Sequence, residues 1–107
     1  MKRVTQAGDL RAAVAGKKAV VLFHATWCPF CVNYRPTFVD GVRDLGGWEP
    51  VECVMDDESN PLWVDHDIHV VPTLIRFEDG RPTGRANGRL GAGLGRDALP
   101  KLLALPG

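Results

Sequence analysis

Ala19-Val20-Val21-Leu22-Phe23-His24-Ala25-Thr26-Trp27-Cys28-Pro29-Phe30-Cys31 begins as an unbroken apolar run and ends in two cysteines separated by two residues. A β-branched and aromatic run with no polar alternation is the pattern of a strand covered on both faces. Such a strand belongs in the middle of a sheet with helices above and below it. Beyond Pro29, a residue suited to a first helical turn, Val32, Phe38, Val39, Val42 and Leu45 recur every three to four residues. That spacing predicts a long amphipathic helix from Pro29 to about Leu45, stopped at Gly46-Gly47 and kinked at Pro36.

Working outward, Ala7 to Ala15 is Ala-rich, with Leu10 and Val14 at helical spacing and Gly16 as a stop, so a short first helix is expected. Glu49 to Met55 reads as a second central strand, and Asp56 to Asn60 as a loop leading into a short helix from Pro61 to about Asp65. Thr73 to Phe77 is a third strand, turned at Asp79-Gly80 into a fourth from about Thr83 to Asn87. Arg96 to Leu105 closes the chain as a helix that tolerates Pro100 only near its start. This order gives an α/β layer fold, a mixed four- to five-stranded sheet with helices on both faces, and residues 1–107 read as a single domain.

The two cysteines sit where a strand feeds a helix. Unpaired amides and the positive dipole end at a helix N-terminus favour a thiolate at Cys28. Cys31 lies one turn along on the same face, positioned to attack a mixed disulfide formed on Cys28. Cys28 is therefore the expected nucleophile and Cys31 the resolving thiol. Trp27 is expected to shield the Cys28 sulfur while leaving one side open to a protein disulfide.

The run Phe23 to Cys31, Pro36 eight residues after Cys28, and Val71-Pro72-Thr73-Leu74 together resemble the thioredoxin family over essentially the whole chain. Asp79-Gly80 and Gly88 extend the resemblance. It implies a thioredoxin-like fold and a dithiol that reduces or exchanges disulfides in other proteins. It also implies that Pro72 is a cis proline facing the cysteines, that Val71 offers backbone groups to an extended substrate, and that Trp27, Pro29 and Phe30 border the bound segment. No cofactor or metal is implied. The implied partners are protein disulfides and a thioredoxin-reductase-like electron donor.

Two departures from the family pattern stand out. Pro29-Phe30 replaces the usual Gly-Pro between the cysteines, leaving Phe30 an amide hydrogen that could point at the Cys28 sulfur. A reduction potential of roughly minus 250 to minus 180 mV is expected on that ground. The family's buried acid and its lysine neighbour correspond to Leu22 and Cys53, so apolar surface is expected in place of a proton relay. His24 is a candidate for tuning the dithiol, against the alternative of a partly exposed histidine with no role.

Thirteen basic and thirteen acidic residues cancel, which removes any global field for nucleic acid or an anionic membrane. No apolar run is long enough to span a bilayer. An unpaired Cys53 suits a reducing compartment, so a cytoplasmic monomer is expected, with a processed exported form left open. Three rival readings also stay open. A glutaredoxin-like reductase is favoured by Pro29-Phe30 and opposed by Trp27 and Pro36. A structural zinc needs four ligands, so two of Cys53, His66 and His69 would have to join the pair, although they do not obviously converge. A non-enzymatic adaptor is hard to square with two retained cysteines. Gly91 to Gly95 reads as a flexible connection rather than a phosphate loop, and Asp65 to His69 as a solvated turn with Ile68 inward.

Overall fold

The computed structural model describes residues 1–106. Five strands, β1 (Lys2–Val4), β2 (Lys18–His24), β3 (Glu49–Val54), β4 (Thr73–Glu78) and β5 (Arg81–Ala86), form one sheet in the order β1-β3-β2-β4-β5. β1, β3 and β2 run parallel, and β4 and β5 are antiparallel to their neighbours. The helices are α1 (Ala7–Val14), α2 (Pro29–Val42), α3 (Leu62–Asp65) and α4 (Ala98–Leu103).

β2 is the spine because its side chains alternate between two dry layers. Ala19, Val21 and Phe23 pack with Leu10 and Val14 of α1 and Leu62 of α3, while Val20 and Leu22 pack with Phe38 of α2 and Leu99 and Leu102 of α4. A strand that contributes to two cores can afford no polar alternation, which is why its sequence reads as a solid apolar run.

β1 is an addition to the sequence expectation. It pairs with β3 through Lys2↔Val51 and Val4↔Cys53, and of its three residues only Val4 is buried. A short edge strand held by backbone pairing carries no hydrophobic pattern to read. α2 stops at Val42 rather than about Leu45, and α4 is shorter than expected at both ends. β5 starts earlier, at Arg81, because a register shift between Arg76 and Phe77 brings Pro82 opposite Phe77 on the exposed edge, where a missing N–H costs nothing.

Two loops converge on the C-terminal end of β2. One carries the cis peptide bond between Val71 and Pro72. The other, residues 88–93, closes on itself through Arg89 N–H donating to Gly93 O at 2.9 Å. The glycine-rich stretch is thus an ordered turn beside the dithiol. Ile68 is buried at the preceding turn as expected, where Asp67 adopts a left-handed conformation (φ 53°).

Candidate active site

Cys28 is the N-cap residue of α2, with Pro29 as the first helical residue. An N-cap side chain ordinarily accepts from an amide of the first turn through oxygen; here the sulfur does so, with Cys31 N–H donating to Cys28 Sγ at 3.3 Å. The sequence expectation of a Phe30 donor is corrected: of the N2 and N3 amides a capping side chain can reach, the sulfur takes N3, Cys31, so the Phe30 amide gives no ground for a raised potential. The Cys28 thiol donates in turn to Val71 O at 3.5 Å. That contact brings the cis-proline loop to the sulfur.

The two thiols differ. Cys28 opens on a cleft of about 300 Å³ bordered by Trp27, Phe30, Trp63, Val71 and Leu90. Cys31 lies beneath it at 1% exposure, and burial, together with the hydrogen bond it donates to Cys28, pushes its thiol up to about 12. Cys53 is fully buried in the core below, and burial pushes it to about 12 as well. It takes no part in the cleft.

The loop before Cys28 is pinned by Asp56. Its carboxylate accepts from Thr26 N–H at 2.7 Å and from Thr26 Oγ1 at 2.6 Å, and its carbonyl accepts from Trp27 Nε1 at 2.9 Å. Hydrogen bonds from Thr26 hold the Asp56 carboxyl below the usual carboxylate range. Trp27 stays half exposed beside the sulfur. On the other rim, an added Cβ at Gly93, where φ is 73°, would stand 3.0 Å from Phe30 Cβ, so the 88–93 turn fits closely against Phe30. Leu90 projects from that turn almost fully exposed.

His24 is buried at 3% exposure, which corrects the reading of a partly exposed strand end. Its Nε2 lies 3.2 Å from Glu52 Oε1, an ion-pair distance but off line for a strong hydrogen bond. Arg35 grips the same carboxylate with Nε on Oε1 and Nη2 on Oε2, the latter at 3.2 Å. Burial pushes Glu52 up, and Arg35, His24 and Arg3 more than offset it, leaving the carboxyl below its ordinary range. Burial sets His24 below its ordinary value against the pull of Glu52.

Leu22 and Cys53 are fully buried and apolar as anticipated, yet the expectation of an apolar surface in place of a relay needs correcting. Glu52, the register partner of Leu22 on β3, supplies a buried carboxylate there. Sequence reasoning missed it, although an acid inside Val51-Glu52-Cys53-Val54 was an available signal. Asp56 and Arg35 were missed too.

Of the other histidines, His66 packs against Phe23 and Phe77 with ring centroids 5.2 and 6.0 Å away, and exposed His69 pairs with Asp67 at 2.7 Å. Among the described residues, no three of the His, Cys, Asp and Glu side chains gather in a way that could hold a metal. A roomier cleft of about 520 Å³ between α2 and α4 lies away from the thiols.

The Thioredoxin family model matches residues 2–98. A thioredoxin of Mycoplasmoides gallisepticum is 34% identical over 82 residues, covering 76% of this chain and 81% of its own. Human sulfhydryl oxidase 2 is 30% identical over 83 residues, 70% of this chain but only 12% of that much longer protein. Among solved structures, mitochondrial thioredoxin 3 of Saccharomyces cerevisiae superposes with a TM-score of 0.80 at 23% identity, over 98% of this chain and 95% of that one. At that identity the likeness speaks for the fold.

Proposed function

The chain belongs to the thioredoxin family and is a thiol-disulfide oxidoreductase; from that premise we propose that Cys28 attacks protein disulfides and Cys31 resolves the mixed disulfide that results. The observation that carries this reading is the asymmetry of the pair. Cys28, 6% exposed, borders the cleft beside Trp27 and its sulfur accepts a helix-terminal N–H, whereas Cys31, 1% exposed, lies outside that cleft. An attacking sulfur needs an approach for substrate and stabilisation of negative charge; a resolving sulfur needs only its neighbour.

An extended substrate segment lies along Val71 and Pro72, whose backbone reaches to 3.5 Å from the Cys28 sulfur. Trp27, Pro29 and Phe30 form the facing rim. The chain works as one domain and a monomer in the cytoplasm, recycled by a thioredoxin-reductase-like donor; the unpaired Cys53 supports a reducing compartment.

Replacing Cys31 with Ser should trap substrates on Cys28 as mixed disulfides, identifiable by mass spectrometry after reduction. Failure to accumulate any such adduct would sink the assignment. Recycling by glutathione reductase with glutathione, and not by thioredoxin reductase, would move the protein to a glutaredoxin-like role. Equilibration with glutathione buffers gives the reduction potential and so the direction in which the dithiol is poised to work.

A further inference from the structure

The Cys28 cleft, which Cys31 does not line, holds no side chain placed to accept the proton of Cys31. Its thiol is held at about 12 by burial, yet resolution needs the thiolate. Asp56 is a poor acceptor, since Thr26 keeps its carboxyl below the usual range, and its charge opposes ionisation of Cys31.

A second buried polar cluster borders the same thiol. His24, Cys31 and Arg35 line one solvent-open cleft of about 380 Å³ with Arg3 and Thr26. Three elements build the cluster: β2 contributes His24, β3 contributes Glu52, and α2 contributes Arg35, one turn beyond Cys31. Both His24 and Glu52 are 3% exposed, and His24 Nε2 has no well-aligned hydrogen-bond partner among the described residues. Apolar side chains of similar volume commonly fill such a space with no loss of stability, so stability does not account for an imidazole and a carboxylate there.

We propose that His24, paired with the Glu52 carboxylate, receives the Cys31 proton through the cleft they share as Cys31 attacks the mixed disulfide. The inference rests on Cys31 being the resolving thiol. The Cys31 S–H bond breaks with its proton passing to the imidazole, and the Cys31 sulfur bonds to the Cys28 sulfur. The bond from Cys28 to the substrate sulfur breaks, and its electron pair leaves on the substrate, which takes up a proton from the imidazolium or solvent. The chain's two thiols are oxidised to one disulfide and the substrate disulfide is reduced to two thiols. Glu52 and Arg35 are positioning residues; Arg35 keeps the carboxylate ionised and aimed.

The groups facing His24 are Glu52 from β3, Cys31 and Arg35 from α2, Arg3 from β1 and Asp56 from the loop after β3. Glu52 and Asp56 favour the imidazolium, while burial and the two arginines oppose it. The balance leaves the ring neutral at working pH. Proton transfer must therefore accompany sulfur attack, because so weak a base cannot hold the proton against a free Cys31 thiolate.

The test uses the full chain and 5,5′-dithiobis(2-nitrobenzoate) in stopped flow. Attack by Cys28 releases one coloured thionitrobenzoate, and resolution by Cys31 releases the second, so both steps appear in one trace. In the wild type, the second step should fall away below the midpoint at which the His24 ring titrates by ¹⁵N NMR. His24→Gln and Glu52→Gln should each slow it roughly 100-fold near neutrality and turn its profile into a steady rise with hydroxide. A wild-type profile without a bend at the His24 midpoint overturns the proposal with no variant needing to fold. Variants that keep the wild-type profile overturn it too. A missing first release removes the role of Cys28 itself, and this inference with it.

Discussion

Gly88 lies so close to Pro72 that a Cβ at position 88 would stand 2.2 Å from the Pro72 carbonyl oxygen. No side chain fits that gap. Gly88 N–H also approaches Thr73 Oγ1 at 3.4 Å, so the 88–93 turn and the Val71-Pro72 loop are held as one surface beside Cys28. Gly88→Ala must separate them. The expected cost is about 1–3 kcal/mol of stability, with turnover of a protein disulfide reduced roughly 100-fold by displacement of the substrate-facing backbone. Urea denaturation and turnover measured on the same preparation check both; a variant with wild-type turnover would contradict the placement.

The three cysteines should react in a fixed order. Cys28 alone borders the cleft, while burial holds Cys31 and Cys53 at about 12. Iodoacetamide at neutral pH should modify Cys28 first, with Cys53 labelled only when the fold opens. Peptide mapping over a time course reads the order directly. Labelling of Cys53 as fast as Cys28 would be incompatible with this packing.

Stability should fall in mild acid because of two histidines. Burial is the largest cause holding His24 and His66 below the ordinary 6.5. With a depressed folded value, each ring takes its proton more readily in the unfolded chain. The folded state therefore loses nothing above that pH and loses ground as pH drops beneath it. The slope is at most about 1.4 kcal/mol per pH unit for each histidine. Glu52 and Asp56, also held below their ordinary values, extend the loss only at lower pH. Urea midpoints at about pH 7.5 and about pH 5.5 should differ, and His66→Asn should lessen the difference; equal wild-type midpoints would refute the argument.

Arg76 ties α4 to the sheet. Its Nη1 donates to Leu102 O at 3.0 Å and Leu105 O at 2.8 Å, its Nε to Thr83 Oγ1 at 3.0 Å, and its Nη2 to Glu78 Oε2 at 3.0 Å, all from a residue 2% exposed. Arg76→Met strands the buried Leu102 carbonyl and frees three part-buried acceptors, and should cost on the order of 1–3 kcal/mol. The α4 amides should then exchange with deuterium faster than those of β2. Unchanged exchange in α4 would show that other contacts hold the helix.

The sequence by itself determined the central strand, the helix that follows it and the dithiol between them. A strand buried on both faces, a helix start marked by Pro29, and a two-residue cysteine spacing are local patterns that need no partner to be recognised. β1 was not legible, because an edge strand made by backbone pairing leaves Lys2 and Arg3 in solvent. Nor was the role of Arg76, whose partners lie up to 29 residues away. Only the tertiary structure decided the surroundings of the cysteines. It buried His24, set Glu52 beside Leu22 in register, and brought Arg35 from one turn beyond Cys31 onto that carboxylate. Charges from separate elements acquire their effect from distance and burial, which come into being only when the sheet is assembled and α2 is laid across it.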